Sequence, residues 1–180
     1  MKRAAQDVVD ELLVMRCQDG DAEALDMLVG RWQKRLWRHA FRLTGRRDAA
    51  WEVLQEAWLG IVRGIGRLAD PACFRRWAYR VVTHKAIDWV RRSDRRRSDR
   101  NLADPVAAPP ATADADAAAD LQTVLAHLPD EQRALVSLRY FEELSVIEIA
   151  EVLDIPAGTV KSRLHDARAA LRRVWERSSG

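Results

Sequence analysis

From Asn101 to Asp120 the chain reads NLADPVAAPPATADADAAAD, and in that stretch only Leu102 and Val106 are large and apolar. Such a segment has too little apolar surface to offset the entropy of ordering it. It is predicted to be a flexible linker, so the chain divides into two small domains, 5–100 and 121–177, joined by 101–120. The 180 residues as a whole are 48% apolar and 32% charged, an ordinary globular mixture that excludes full-length disorder.

On either side of the linker the apolar residues recur at helical spacing with almost no strand-like alternation. Helices are predicted near 5–18, 22–44, 48–65 and 72–93, with Asp19-Gly20-Asp21 separating the first two and Gly45 stopping the second. Gly64, Gly66 and Pro71 bracket a loop before the fourth. There Phe74, Trp77, Ala78, Val81, Val82, Ala86, Trp89 and Val90 form an apolar stripe, opposite Arg76, Arg80, His84 and Arg91. Four shorter helices follow the linker, near 118–127, 130–142, 145–153 and 157–176. Pro129 with Asp130 and Glu131 marks one start, and Ser145-Val-Ile-Glu148 is a capping box. The fold class is all-α.

The formal net charge is only +3, but it is unevenly placed. Residues 1–100 hold 22 Lys and Arg against 14 Asp and Glu, residues 101–154 hold 2 against 11, and residues 155–180 hold 6 against 2. Two basic blocks separated by an acidic one suit two surfaces that each meet a polyanion; solvated helix faces are the competing explanation. Cys17 and Cys73 stand alone, with neither disulfide nor zinc-ligand spacing. No apolar run reaches the ~20 residues of a membrane span, and the opening MKRAAQDVVDELL puts acids where a signal peptide is apolar. A cytoplasmic protein without membrane insertion is expected.

The most specific local pattern is LSVIEIAEVLDIPAGTVKSRLHDARAAL, Leu144 to Leu171. Ile147, Ala150 and Leu153 on a short helix, Ile155 in a turn, and Val160, Leu164 and Leu171 on the next helix form the apolar ladder of a helix-turn-helix. The second helix then offers Thr159, Lys161, Ser162, Arg163, His165, Asp166 and Arg168 outward, able to reach phosphates and base edges in a major groove. An amphipathic hairpin packed on something else is the alternative. Nothing supplies a nucleophile–base pair, a phosphate loop or a metal constellation, so no enzyme, no cofactor and no metal is expected.

The piece LAHLPDEQRALVSLRYFEELSVIEIAEVLDIPAGTVKSRLHDARAALR resembles the carboxy-terminal domain of bacterial sigma factors of the extracytoplasmic-function (ECF) group, whose pattern runs approximately LPxxxRxxxxLryfegLSyeEIAxxLgxpxGTVkSRLxRAR. The amino-terminal half carries the matching motifs: AWEVLQEAWL resembles DLVQETFL, and FRRWAYRVVTHKAIDWVRR resembles FxxWLYRIAxNxAIDxLRR. The resemblance implies an alternative sigma factor that binds RNA polymerase core through the β′ clamp helices and the β flap. Promoter DNA is then read at two elements, and an anti-sigma factor is the expected regulator.

By the same resemblance Trp51, Leu54, Gln55, Glu56 and Trp58 align with the clamp-docking region 2.2, although one or two of the apolar ones compete as core. Arg67, Arg76, Tyr79, Arg80, His84 and Lys85 align with the loop and helix that capture the −10 element, a task that suits a charged track beside a pocket. Trp77 and Trp89 lie on the apolar stripe and read as core. The recognition helix would meet the −35 element, and RRSDRRRSDR, Arg91 to Arg100, would add non-specific phosphate contacts. Ala49 and Trp51 replace the family's usual acids, His84 its usual Asn, and Asp166 its usual Arg. Asp166 can accept from cytosine N4 but repels phosphate; pairing with Arg163 or facing solvent is the competing reading. Two further functions compete: a stand-alone helix-turn-helix regulator and a sigma mimic that binds only an anti-sigma protein.

Overall fold

A computed structural model describes residues 2–100 and 125–178, and these residues are helical with no strand among them. The expected linker 101–120 and most of the helix expected near 118–127 lie outside the described residues. Helices α1 (Lys2–Gln18), α2 (Ala22–Thr44), α3 (Arg47–Gly64) and α4 (Phe74–Arg100) make the first half. Helices α5 (Asp130–Val136), α6 (Val146–Leu153) and α7 (Ala157–Ser178) make the second, with a wide π-helical turn, Ser137–Phe141, continuing α5.

The ends of these helices follow from local chemistry. Asp21 accepts from the Ala24 amide at 3.1 Å to open α2, and Gly45, at φ 70°, closes it with its N–H on the Phe41 carbonyl. The capping box is formed as expected: Ser145 Oγ accepts from the Glu148 amide, and Glu148 Oε2 accepts from the Ser145 amide. Helix α4 runs past the expected end at residue 93 because the Arg/Asp run that follows contains no glycine or proline to stop it.

In the first half, Trp32 of α2 packs edge-on against Phe74 at 5.4 Å and Tyr79 at 5.9 Å, all three buried. Leu28, Leu36, Leu54 and Ile61 surround them. At the end of α3, Gly64 lies so close to the Trp77 ring that an added Cβ would stand 2.8 Å from it. The loop that follows is held down from α1, where Gln18 Nε2 donates to the carbonyls of Ile65 at 3.0 Å and Leu68 at 2.8 Å.

The two halves do not stand apart. One apolar cluster runs from Leu13 in α1 through to Leu164 in α7, with Leu135, Leu138, Leu144, Ile149 and Val152 of the second half joining the first half's core. A small separate cluster, Leu125, Leu128, Val136 and Ala167, belongs to the second half alone. Helix α6 lies along α4, and polar groups close the rest of the seam.

Candidate nucleic-acid and protein interfaces

Helices α2 and α3 enclose an open apolar cleft of about 630 Å³, lined by Val29, Trp51, Leu54, Gln55, Trp58, Leu59 and Val62 among others. Trp51 is 45% exposed, Leu59 and Val62 are also exposed, and Gln55 stands beside them. Large apolar side chains held open to solvent suit a helical partner laid in a groove. Leu54 needs correction: at 2% exposure it is a core residue that forms the floor of the cleft, so its removal would unsettle the fold rather than a contact. Trp58 is half-buried, and Glu56 pairs with Lys85 of α4 at 3.2 Å. Leu59, Val62 and Val29 complete the cleft; the i, i+4, i+7 spacing of Gln55, Leu59 and Val62 was the available signal.

On α4, Arg76, Arg80 and His84, four residues apart, share one side, Lys85 lies on another, and Arg67 is exposed in the preceding loop. Tyr79 does not belong with them. It is fully buried against Trp32 and His39, its hydroxyl donates to the Glu142 carboxylate, and burial beside that carboxylate pushes its pKa up. A phenol so enclosed offers no stacking surface to a base. The α4 strip faces the second half. Arg76 Nε lies 2.9 Å from the Glu151 carboxylate, and Arg80 reaches the Glu151 carbonyl at 3.2 Å and the Asp154 carboxylate at 3.7 Å. Lys85 is turned back to Glu56, so it closes the α3–α4 contact and is only half available.

Helix α7 presents its outer face to solvent. Val160, Leu164 and Ala167 are buried, while Lys161, Ser162, His165, Asp166 and Arg168 are exposed and Thr159 is half-buried. Arg163 turns to Glu131 of α5, and Glu131 also meets Arg91 of α4 at 3.5 Å, so one carboxylate serves both basic helices. The intrahelical Asp166–Arg163 pair does not form, and Asp166 has no ion-pair partner among the described residues.

The seam carries a buried polar cluster that the sequence did not announce. Glu142, 5% exposed, accepts from the Arg42 guanidinium and the Tyr79 hydroxyl, and its backbone carbonyl accepts from Arg75. Burial lowers the Arg42 pKa and the Glu142 charge opposes that shift. His39 is fully buried, bonded through Nδ1 to Ser137 Oγ at 3.0 Å and through Nε2 to Thr83 Oγ1 at 2.8 Å. Desolvation foremost, with Arg42 nearby, drives its pKa well below the usual value and keeps it neutral. Arg133 of α5 completes the seam by donating to the Leu43 carbonyl at 2.8 Å.

Comparison with known proteins places the chain in a family. Residues 28–96 match sigma-70 region 2 and residues 118–171 match sigma-70, region 4. The chain is 36% identical over 157 residues to the ECF RNA polymerase sigma factor SigM of Mycobacterium tuberculosis, covering 86% of this chain and 79% of that protein. It is 29% identical over 177 residues to the ECF RNA polymerase sigma factor SigW of Bacillus subtilis, covering 89% of this chain and 93% of that one. Its fold resembles the sigma factor RpoE solved in complex with the anti-sigma factor NepR from Bartonella quintana, with a TM-score of 0.75 and 19% identity over 86% of this chain and 98% of that one.

Proposed function

Because the chain belongs to the ECF RNA polymerase sigma factors, and is an alternative sigma factor directing transcription initiation, we propose that it works through three separate surfaces. The α2–α3 cleft around Trp51, Gln55, Trp58 and Leu59 docks on polymerase core. The α4 strip with Arg67, Arg76, Arg80 and His84 meets the −10 element. The outer face of α7 reads the −35 element. The observation that supports this assignment is the exposure of large apolar groups in the cleft, in a chain that also carries basic side chains along α4 and on the exposed face of α7, residues of the kind that contact phosphates and base edges. RNA synthesis itself belongs to the polymerase in this reading. An anti-sigma protein is the expected inhibitor and the cytoplasm the expected compartment.

Run-off transcription with purified core polymerase on promoter fragments tests the whole reading. Chain-dependent transcripts are expected, and their absence with a folded chain would sink it. On α7, Lys161→Ala should weaken binding to all −35 sequences alike and lower the slope of log affinity against log salt by about one. Asp166→Arg should instead alter preference at a single −35 position by ~1–3 kcal/mol, read by selection from randomised duplexes. Identical preferred sequences for both proteins would eliminate base reading by Asp166.

A further inference from the structure

We propose that the outward face of α1 is a docking site for a basic amphipathic helix of another protein, separate from the cleft, the α4 strip and the face of α7. Residues three and four apart lie on one side of a helix. In α1 that spacing puts Val8, Leu12 and Met15 in one row, and they are 53%, 56% and 50% exposed. The row lies opposite the face that α1 buries, which carries Asp10, Leu13 and Val14. A helix laid on a core ordinarily turns charged side chains to water on its far side. Here that side is apolar, with Val9 exposed beside the row, and a second helix laid along it would take these groups out of water.

Charge selects what covers the row. Residues 6–27 hold seven Asp and Glu against a single base, Arg16, in a chain whose net charge is +3. Asp7 and Glu11, one turn apart, run along one flank. Asp19 stands at the end of the row, its amide donating to the Met15 carbonyl at 3.1 Å. On the other flank Arg16 is taken up by Asp21 at 2.6 Å and Glu23 at 4.0 Å.

This rim repels DNA and an anionic bilayer alike. A second copy docking by the same face would bring two acidic rims together. Within the chain, residues 101–120 carry four Asp and no base, while Arg91–Arg100 has the charge but no large apolar residue. What fits is a helix with an apolar spine at i, i+4 and i+7 and lysine or arginine on its flanks, so that spine meets spine and the flanks pair with Asp7, Glu11 and Asp19. The row shares no residue with the cleft, the α4 strip or α7.

The test measures anisotropy of a labelled synthetic peptide of about 18 residues, long enough to form a helix, with leucine at the anchor positions and lysine on the flanks, titrated with the full-length chain. A peptide of the same composition in shuffled order, and one with glutamate for lysine, are the comparisons. The ordered basic peptide should bind at least about tenfold tighter than either, with an affinity that falls as salt rises. Leu12→Gln/Met15→Gln should weaken its binding at least about tenfold at unchanged helical content, both side chains being exposed in the free chain. Glu11→Gln/Asp19→Asn should weaken it less and flatten the salt dependence. Trp51→Gln/Leu59→Gln, in the cleft, should leave it as in wild type; loss of binding there, with the α1 variants silent, would overturn the proposal. Equal binding of the shuffled peptide would do the same, as would dimers in sedimentation that Leu12→Gln/Met15→Gln abolishes, which would give the face to a second copy. Run-off transcription by that α1 pair with core polymerase should match wild type. Transcripts lost with the fold intact would assign the row to core docking, sinking the separate partner while the three-surface reading stands.

Discussion

The interior of the first half and the seam between the halves are both closed to water, yet they are built from different materials. Around Trp32, Phe74 and Tyr79 the contacts are aromatic edges on apolar faces. Across the seam, apolar residues such as Leu138 and Ile149 flank a centre made of His39, Thr83, Ser137, Arg42 and Glu142. Apolar burial is worth about 25 cal/mol per Å² and is forfeited outright on opening. A hydrogen-bonded pair exchanges its partners for water at a net ~0.5–1.5 kcal/mol. The first interior rests on apolar contact alone, and the seam adds to its share of the same apolar cluster a polar centre whose bonds fix how the two halves meet.

The sharpest way to break this contrast is Trp32→Ala. Its loss from the aromatic cluster should lower stability by about 3–5 kcal/mol in urea unfolding, with both halves affected since they share one apolar cluster. A loss under ~1 kcal/mol would mean the first half is not organised around it. Next in size, Gly64→Ala should cost about 1–3 kcal/mol, because the new methyl meets the rigid Trp77 ring. A neutral result would show that the ring has room to move.

Acidification probes the seam specifically. His39 is held neutral against Thr83 and Tyr79 of α4, Ser137 of the second half and Arg42 of its own helix, which in turn meets Glu142. With the pKa lowered in the folded state, stability is complete above the ordinary value near 6.5 and is lost as pH falls below it, at up to ~1.4 kcal/mol per pH unit. Scattering or thermal unfolding between pH 7 and pH 5 should follow that slope in wild type and flatten in His39→Gln. The smallest effect belongs to the second half alone: Ser145→Ala removes one cap and should cost ~1 kcal/mol, visible as faster amide exchange in α6 with α2 unchanged.

Much of this was legible in the chain. The expected helix 22–44 and the observed Ala22–Thr44 coincide because Asp21 and Gly45 are strong local signals, and the capping box at Ser145 announces α6 just as directly. The site was less legible. Helix α3 carries apolar residues around most of its circumference, so periodicity could not tell the buried Leu54 from the exposed Trp51 and Leu59. Tyr79 sits one residue from the basic strip and turns inward because α2 offers it Trp32 and His39. Glu142 reads as an ordinary surface acid until its partners, Tyr79 and Arg42, arrive from 63 and 100 positions away. Such pairings are tertiary, and no local window contains them.

The carboxylate of Glu131, shared between Arg91 of α4 and Arg163 of α7, makes the two basic helices competitors for one anion. A phosphate taken up by Arg163 relieves Glu131 of one cation and leaves it wholly to Arg91; a phosphate taken by Arg91 does the converse. If both helices contact DNA as proposed, affinity at one promoter element becomes a function of occupancy at the other, and by reciprocity each changes the other by the same factor. Between exposed groups that factor is small, on the order of one kcal/mol or less.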